Sequence, residues 1–209
     1  MQAEFSVELG PQAAALEVPW SSLAGADAAA GAGSPAAISS RYFDLKAQPE
    51  LLLNIPEAHN NRALGEFLSA LNAPLSQLQT AKCDTWLSTE ITEDEQIFGA
   101  AFKFASYIDL FFSADPSRFS FQHHEDFARS LCALLAKAPE ISAAAEFVLR
   151  RCYFHSGASG QSGESKDGFC LTFYLSGFGD DDDEALKRWC IGLKLVENAI
   201  LQLAARSRA

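Results

Sequence analysis

Apolar residues alternate with polar ones in several stretches of this chain, and recur at three- and four-residue spacings in others. Alternation marks a strand buried on one face; the 3.6-residue period marks a helix with one buried stripe. Over 101–112, Phe102, Phe104, Ile108, Leu110 and Phe112 share a face, with Ser106 the exception. Lys103, Tyr107 and Asp109 share the other face with Ala105 and Phe111. Over 169–176, Phe169, Leu171, Phe173 and Leu175 alternate with Cys170, Thr172, Tyr174 and Ser176. Two more strands are predicted at 80–89 and 146–155. Helices are predicted at 61–71 (Leu64, Phe67, Leu68, Leu71), at 122–137 (Phe127, Leu131, Leu134, Leu135) and at 181–206. The last carries the longest stripe: Leu186, Trp189, Cys190, Leu193, Val196, Ile200 and Leu203.

From residue 80 the order strand, strand, helix occurs twice, an approximate ββα-ββα pseudo-repeat. Cys83 and Cys152 stand in the first strand of each unit, Cys132 and Cys190 on each helix. One greasy face and one mixed face are what a sheet covered on one side needs. The predicted fold is therefore α+β: a two-layer sandwich, a twisted antiparallel sheet with helices packed on one face.

The N-terminal part reads differently. Glu4–Leu9 alternates, and Phe5, Val7 and Leu9 either extend an edge of the main sheet or pair with another chain; the pattern does not choose. Leu16–Trp20 is a second apolar knot. Ala24–Ala37 is low in complexity and has little to bury, which predicts a flexible loop or linker. The division expected is a partly flexible Ala/Gly-rich segment at 1–40 and a single α+β domain at 41–209. Within the latter, Glu50–Pro56 is an apolar anchor ending at a proline.

The 209 residues suffice for one well-buried core, and 16 phenylalanines suit a sheet. The net charge of −11, with no contiguous basic run, argues against a nucleic-acid binder. No apolar run approaches the ~20 residues of a membrane span. Met1–Phe5 has neither a basic nor an apolar leader region, and the five cysteines form no C-x-x-C pair. A cytoplasmic protein without a membrane partner is expected.

Motifs with chemical promise have plainer readings. Gly179–Glu184 clusters carboxylates, yet lacks the alternation and glycine turn of a calcium loop and precedes the strongest helix, where acids cap free N–H groups. His123-His124-Glu125-Asp126 lacks zincin spacing, and adjacent helix positions diverge by about 100°. The glycine- and serine-rich run 157–168 joins two strands rather than a strand and a helix, so it reads as a hairpin loop. No metal or cofactor is expected.

The sharpest candidate is the mixed sheet face. If the register holds, it gathers Lys82, Asp84 and Trp86, then Lys103, Tyr107 and Asp109, then Arg151, Tyr153 and His155, then Thr172 and Tyr174. Aromatic bodies with polar tips beside both signs of charge suit ligand or partner binding. His155 near Asp84 or Asp109 would make a general base, but the sequence locates no nucleophile for it.

The order helix-strand-strand-helix-strand-strand-helix from residue 61, with the acidic charge, is similar in outline to the small secretion chaperones of the type III class. The similarity covers element order and charge, with no shared residue motif, a longer chain and one strand fewer. It implies a dimeric α/β sandwich that holds a partner chain. Two functions follow: a non-catalytic chaperone- or adaptor-like interaction module, or a small-molecule binder or enzyme working on the open sheet face.

Overall fold

The computed structural model describes residues 1–19, 42–138, 140–155 and 165–206. In chain order its strands are β1 (Gln2–Glu8), β2 (Leu16–Val18), β3 (Leu78–Ser88), β4 (Phe102–Phe112), β5 (Ala143–His155) and β6 (Ser165–Gly179). Its helices are α1 (Pro56–Asn60), α2 (Arg62–Leu71), α3 (Asp115–Arg118), α4 (Phe121–Leu135) and α5 (Asp182–Arg206), with 3-10 turns at Pro49–Asn54 and Asp94–Phe98. The low-complexity stretch 24–37 and most of the glycine-rich run 157–168 lie outside the described residues.

All six strands form one sheet in the order β1-β5-β6-β4-β3, with β2 also on β5. Strands β3 to β6 pair antiparallel, but β1 and β2 run parallel to β5, one after the other along its free edge (β1 against 144–150, β2 against 152–154). The sheet is therefore mixed, a correction to the antiparallel expectation. The alternation in Glu4–Leu9 points to a strand without fixing its direction, and the N-terminal strand, Gln2–Glu8, joins this sheet at its edge.

One sheet face is closed by helices. Ile108, Leu110 and Phe112 of β4, Phe147 and Leu149 of β5, and Leu171, Phe173 and Leu175 of β6 share a core with α2, α4 and α5. Ser106, the polar exception on this face, accepts the indole N–H of fully buried Trp189 at 2.9 Å. Helix α5 lies close against β6 at Gly177, where a Cβ would meet the backbone of Trp189 and Ala185. Only a glycine permits that approach.

Capping explains the helix starts. The Asp181 carboxylate accepts from the Glu184 N–H at 2.8 Å, and the Glu184 carboxylate accepts from the Asp180 N–H at 2.8 Å. The acidic run thus serves the first turn of α5. Ser120 Oγ accepts from the His123 N–H, and Asn61 caps α2. The His123 and His124 rings both pack edge-on against Phe112, with centroids 4.5 and 4.8 Å away. His124 is fully buried, its Nδ1 2.9 Å from the Ser120 carbonyl, and burial lowers its pKa to about 4.

Candidate functional site

The second face of the sheet is covered at both ends and open in the middle. At one end Leu16, Val18, Phe111, Cys152, Phe154 and Cys170 make a small second core, with Tyr42 and Phe119 packed on it. The Arg118 guanidinium lies over the Phe154 ring at 4.7 Å while donating to the carbonyls of Phe112 and Ser113. At the other end Phe98 stacks on buried Phe178 at 4.2 Å. There Lys103 donates to Glu95 at 2.8 Å. Burial opposes the Glu95 charge, but hydrogen bonds from Lys103 and Thr92 outweigh it and hold its carboxyl below the usual range.

Between these ends lies a cleft of about 200 Å³, lined by Lys82, Tyr107, Asp109, Arg150, Thr172 and Tyr174, with Ala14 to Leu16 along one side. The antiparallel register puts Asp109 opposite Thr172 and Tyr107 opposite Tyr174. A bulge in β3 between Thr80 and Cys83 carries Lys82, and a bulge re-aims a side chain out of strict alternation. Thr172 donates to Asp109 at 2.6 Å and accepts from Arg150 at 3.2 Å. Arg150 also donates to the Tyr174 hydroxyl at 3.1 Å and to Glu8 on β1 at 2.8 Å. Glu8, Arg150, Thr172 and Asp109 thus form one continuous polar chain across four strands. Asp109 is only 8% exposed. Burial raises its pKa, while the Thr172 hydrogen bond and the charges of Lys82 and Arg150 work the other way. Burial also pushes the Tyr107 hydroxyl up to about 12.

Three expected residues are not on this face. Arg151 pairs with Phe169, Tyr153 with Asp167 and His155 with Ser165, all on the side that carries Phe169 and Leu171. The correction is one of parity: residues of β5 switch faces at every step, so Arg150 takes the place expected of Arg151. Arg151 is exposed, and His155 lies 3.6 Å from Glu17 of β2. His155 is seven positions along β5 from Val148, the partner of Thr172, or roughly 20 Å from the Asp109 network. The geometry supports no pairing of His155 with Asp84 or Asp109.

The remaining expected residues separate into three groups. Tyr107, Asp109 and Tyr174 line the cleft with Lys82 and Thr172, while Lys103 is engaged by Glu95. Asp84 and Trp86 stand on β3, the last strand on its side of the sheet. The functional residue missed in sequence is Arg150. Its signal was present: it stands next to Arg151, and Glu146–His155 contains apolar residues on both parities.

The described residues contain no group of three metal-ligating side chains, and the five cysteines are free. Burial pushes the Cys83 thiol up to about 12, and a hydrogen bond to Cys152, with burial as the second cause, raises Cys170. Such thiols are poor nucleophiles. No described helix is long and apolar enough to cross a membrane. No protein-family model matches the chain, and comparisons with curated proteins and with solved structures give no match.

Proposed function

We propose that this chain is a non-catalytic interaction module, chaperone- or adaptor-like, that holds an extended segment of a partner protein along β3. In this reading it is a two-layer cytoplasmic α+β domain whose two strand-strand-helix units place β3 at the working edge. The observation that carries it is the character of that edge. β3 ends the sheet, and Trp86 and Leu87 on it are 40% and 47% exposed. The Thr85 N–H is occupied by the neighbouring Asp84 carboxylate at 2.7 Å rather than by a strand. Exposed edge strands are templates for further strands unless they are blunted. β3 itself carries one base and one acid, Lys82 and Asp84, and the loop that follows adds Glu90, Glu93 and Asp94 beside the Glu95–Lys103 pair, which leaves this end of the edge acidic. An acidic edge selects a basic strand and repels an acidic one.

The test uses two labelled ten-residue peptides, one alternating lysine with valine and one alternating glutamate with valine. The lysine peptide binds the full chain in a salt-sensitive manner, and the glutamate peptide does not. Thr85→Pro removes an N–H that is not given to β4, and abolishes binding without changing the circular dichroism. Equal binding of both peptides, or unchanged binding by Thr85→Pro, overturns the reading. Concentration-dependent mass in sedimentation, lost in Thr85→Pro, would assign the edge to a second copy instead.

A further inference from the structure

We propose that the cleft on the open sheet face is a separate binding site for a small, neutral, polyhydroxylated molecule the size of one sugar or cyclitol ring. The volume sets the first limit. About 200 Å³ is below the range of drug-sized pockets. It has room for roughly six water molecules, and a ring with a similar number of hydroxyls fills the same space.

Charge sets the second limit. Lys82 and Arg150 bring two cations to the cleft and Asp109 one carboxylate, while Glu8, outside the lining, already holds Arg150 at 2.8 Å. An inorganic anion entering here must approach the Asp109 carboxylate. A metal ion must approach Lys82 and Arg150. Burying a charge against a like charge costs far more than the opposite partner returns. A neutral molecule meets no such penalty.

The hydrogen-bonding groups set the third. Asp109 accepts, Lys82 and Arg150 donate, and the two tyrosine hydroxyls do both, while the Thr172 hydrogen is already given to Asp109. A hydroxyl matches all of them, because it donates and accepts at the same atom. The Tyr107 and Tyr174 rings, 6.3 Å apart, add an amphipathic wall for the C–H face of a ring. The polar chain behind the wall is already satisfied through Thr172 and Glu8, so the site is preorganised before a ligand arrives.

The experiment is calorimetric titration of the full chain with D-glucose, D-galactose and myo-inositol, with inorganic phosphate and magnesium chloride run in parallel. At least one of the three hydroxylated probes gives a saturable isotherm, and phosphate and magnesium give none. Asp109→Asn keeps an oxygen for Thr172 yet removes the charged acceptor, and weakens that isotherm about tenfold or more. Tyr107→Ala, at a partly buried position on the cleft wall, also weakens it. Arg151→Ala, on the other face, leaves it unchanged. No saturable isotherm with any of the three, an isotherm indifferent to both cleft variants, or binding of phosphate or magnesium lost in Asp109→Asn overturns the proposal. Because Thr85 is not among the cleft-lining residues, Thr85→Pro separates failure of this proposal from failure of the edge reading.

Discussion

The two faces of the sheet are built from the same four long strands and obey different rules. The helix-covered face buries Ile108, Leu110, Phe147, Leu171, Phe173 and Leu175 to 2% exposure or less, and its buried Ser106 is there to satisfy an indole. The other face mixes buried aromatics at both ends with an ionic network in the middle. The first face can be satisfied by volume alone, because apolar packing is non-directional. The second depends on which atoms meet, because each buried polar group needs a named partner. The covered face should therefore govern stability, and the open face should tolerate change in stability while losing function.

The strongest way to break this contrast is at Trp189. Trp189→Ala removes a fully buried ring that meets Phe104 edge-on at 5.2 Å and leaves Ser106 without its donor. The expected loss is about 3–5 kcal/mol, read from urea unfolding. A loss near zero would mean that the α5–β6 contact does not carry the fold.

A smaller effect comes from acid. His124 is buried and neutral, with its pKa lowered from 6.5 to about 4. The unfolded chain takes up a proton at the higher value and the folded chain does not. Stability is therefore full above pH 6.5 and falls as the pH drops toward 4, by about 3 kcal/mol in all. Most carboxylates remain ionised in the upper part of that window, so a decline between pH 6.5 and 5 isolates the histidine. His124→Gln flattens the decline. Asp109 has the opposite sign: its raised pKa gives stability that is fully present below its unfolded value and lost as pH rises through the folded one. Asp109→Asn is accordingly expected to leave neutral-pH stability undiminished, a contrast with His124 that the same unfolding curves would reveal.

Much of the fold was legible because strong periodicity survives any tertiary context. The alternation of Phe169 to Ser176 and the α5 stripe through Trp189 and Ile200 mark both elements without ambiguity. The sheet's direction at β1 was not, since a half-buried strand reads alike in parallel and antiparallel pairing. The candidate site was legible only on strands with clean alternation. In β4 and β6, Tyr107, Asp109, Thr172 and Tyr174 were placed together from pattern alone and meet in the cleft. In β5, Val148 and Leu149 are both buried, since one face packs on helices while Val148 lies opposite Thr172. A strand with apolar residues on both parities gives no sign of which arginine faces which way. Lys82 was placed on this face with Asp84 from alternation and does line the cleft, but the register shift between Thr80 and Cys83 left no mark in the pattern.

That ambiguity supplies the finest test of the comparison, two arginines one bond apart in sequence and on opposite faces. Arg150 has a side chain 17% exposed and holds Thr172, Tyr174 and Glu8 together. Arg150→Ala takes a donor from the buried Thr172 hydroxyl and from Tyr174, for an expected loss of about 1–3 kcal/mol. Arg151 is exposed on the far face. Arg151→Ala is expected to change stability by less than about 0.5 kcal/mol. Measured side by side, the ratio matters more than either value, because both variants remove the same side chain from the same strand and share an unfolded state. Equal losses would mean that β5 is not held in one register, and the face assignment of the whole cleft would fall with it. A large loss at 150 beside none at 151 ties the cleft to this register, and the polar chain from Glu8 to Asp109 with it.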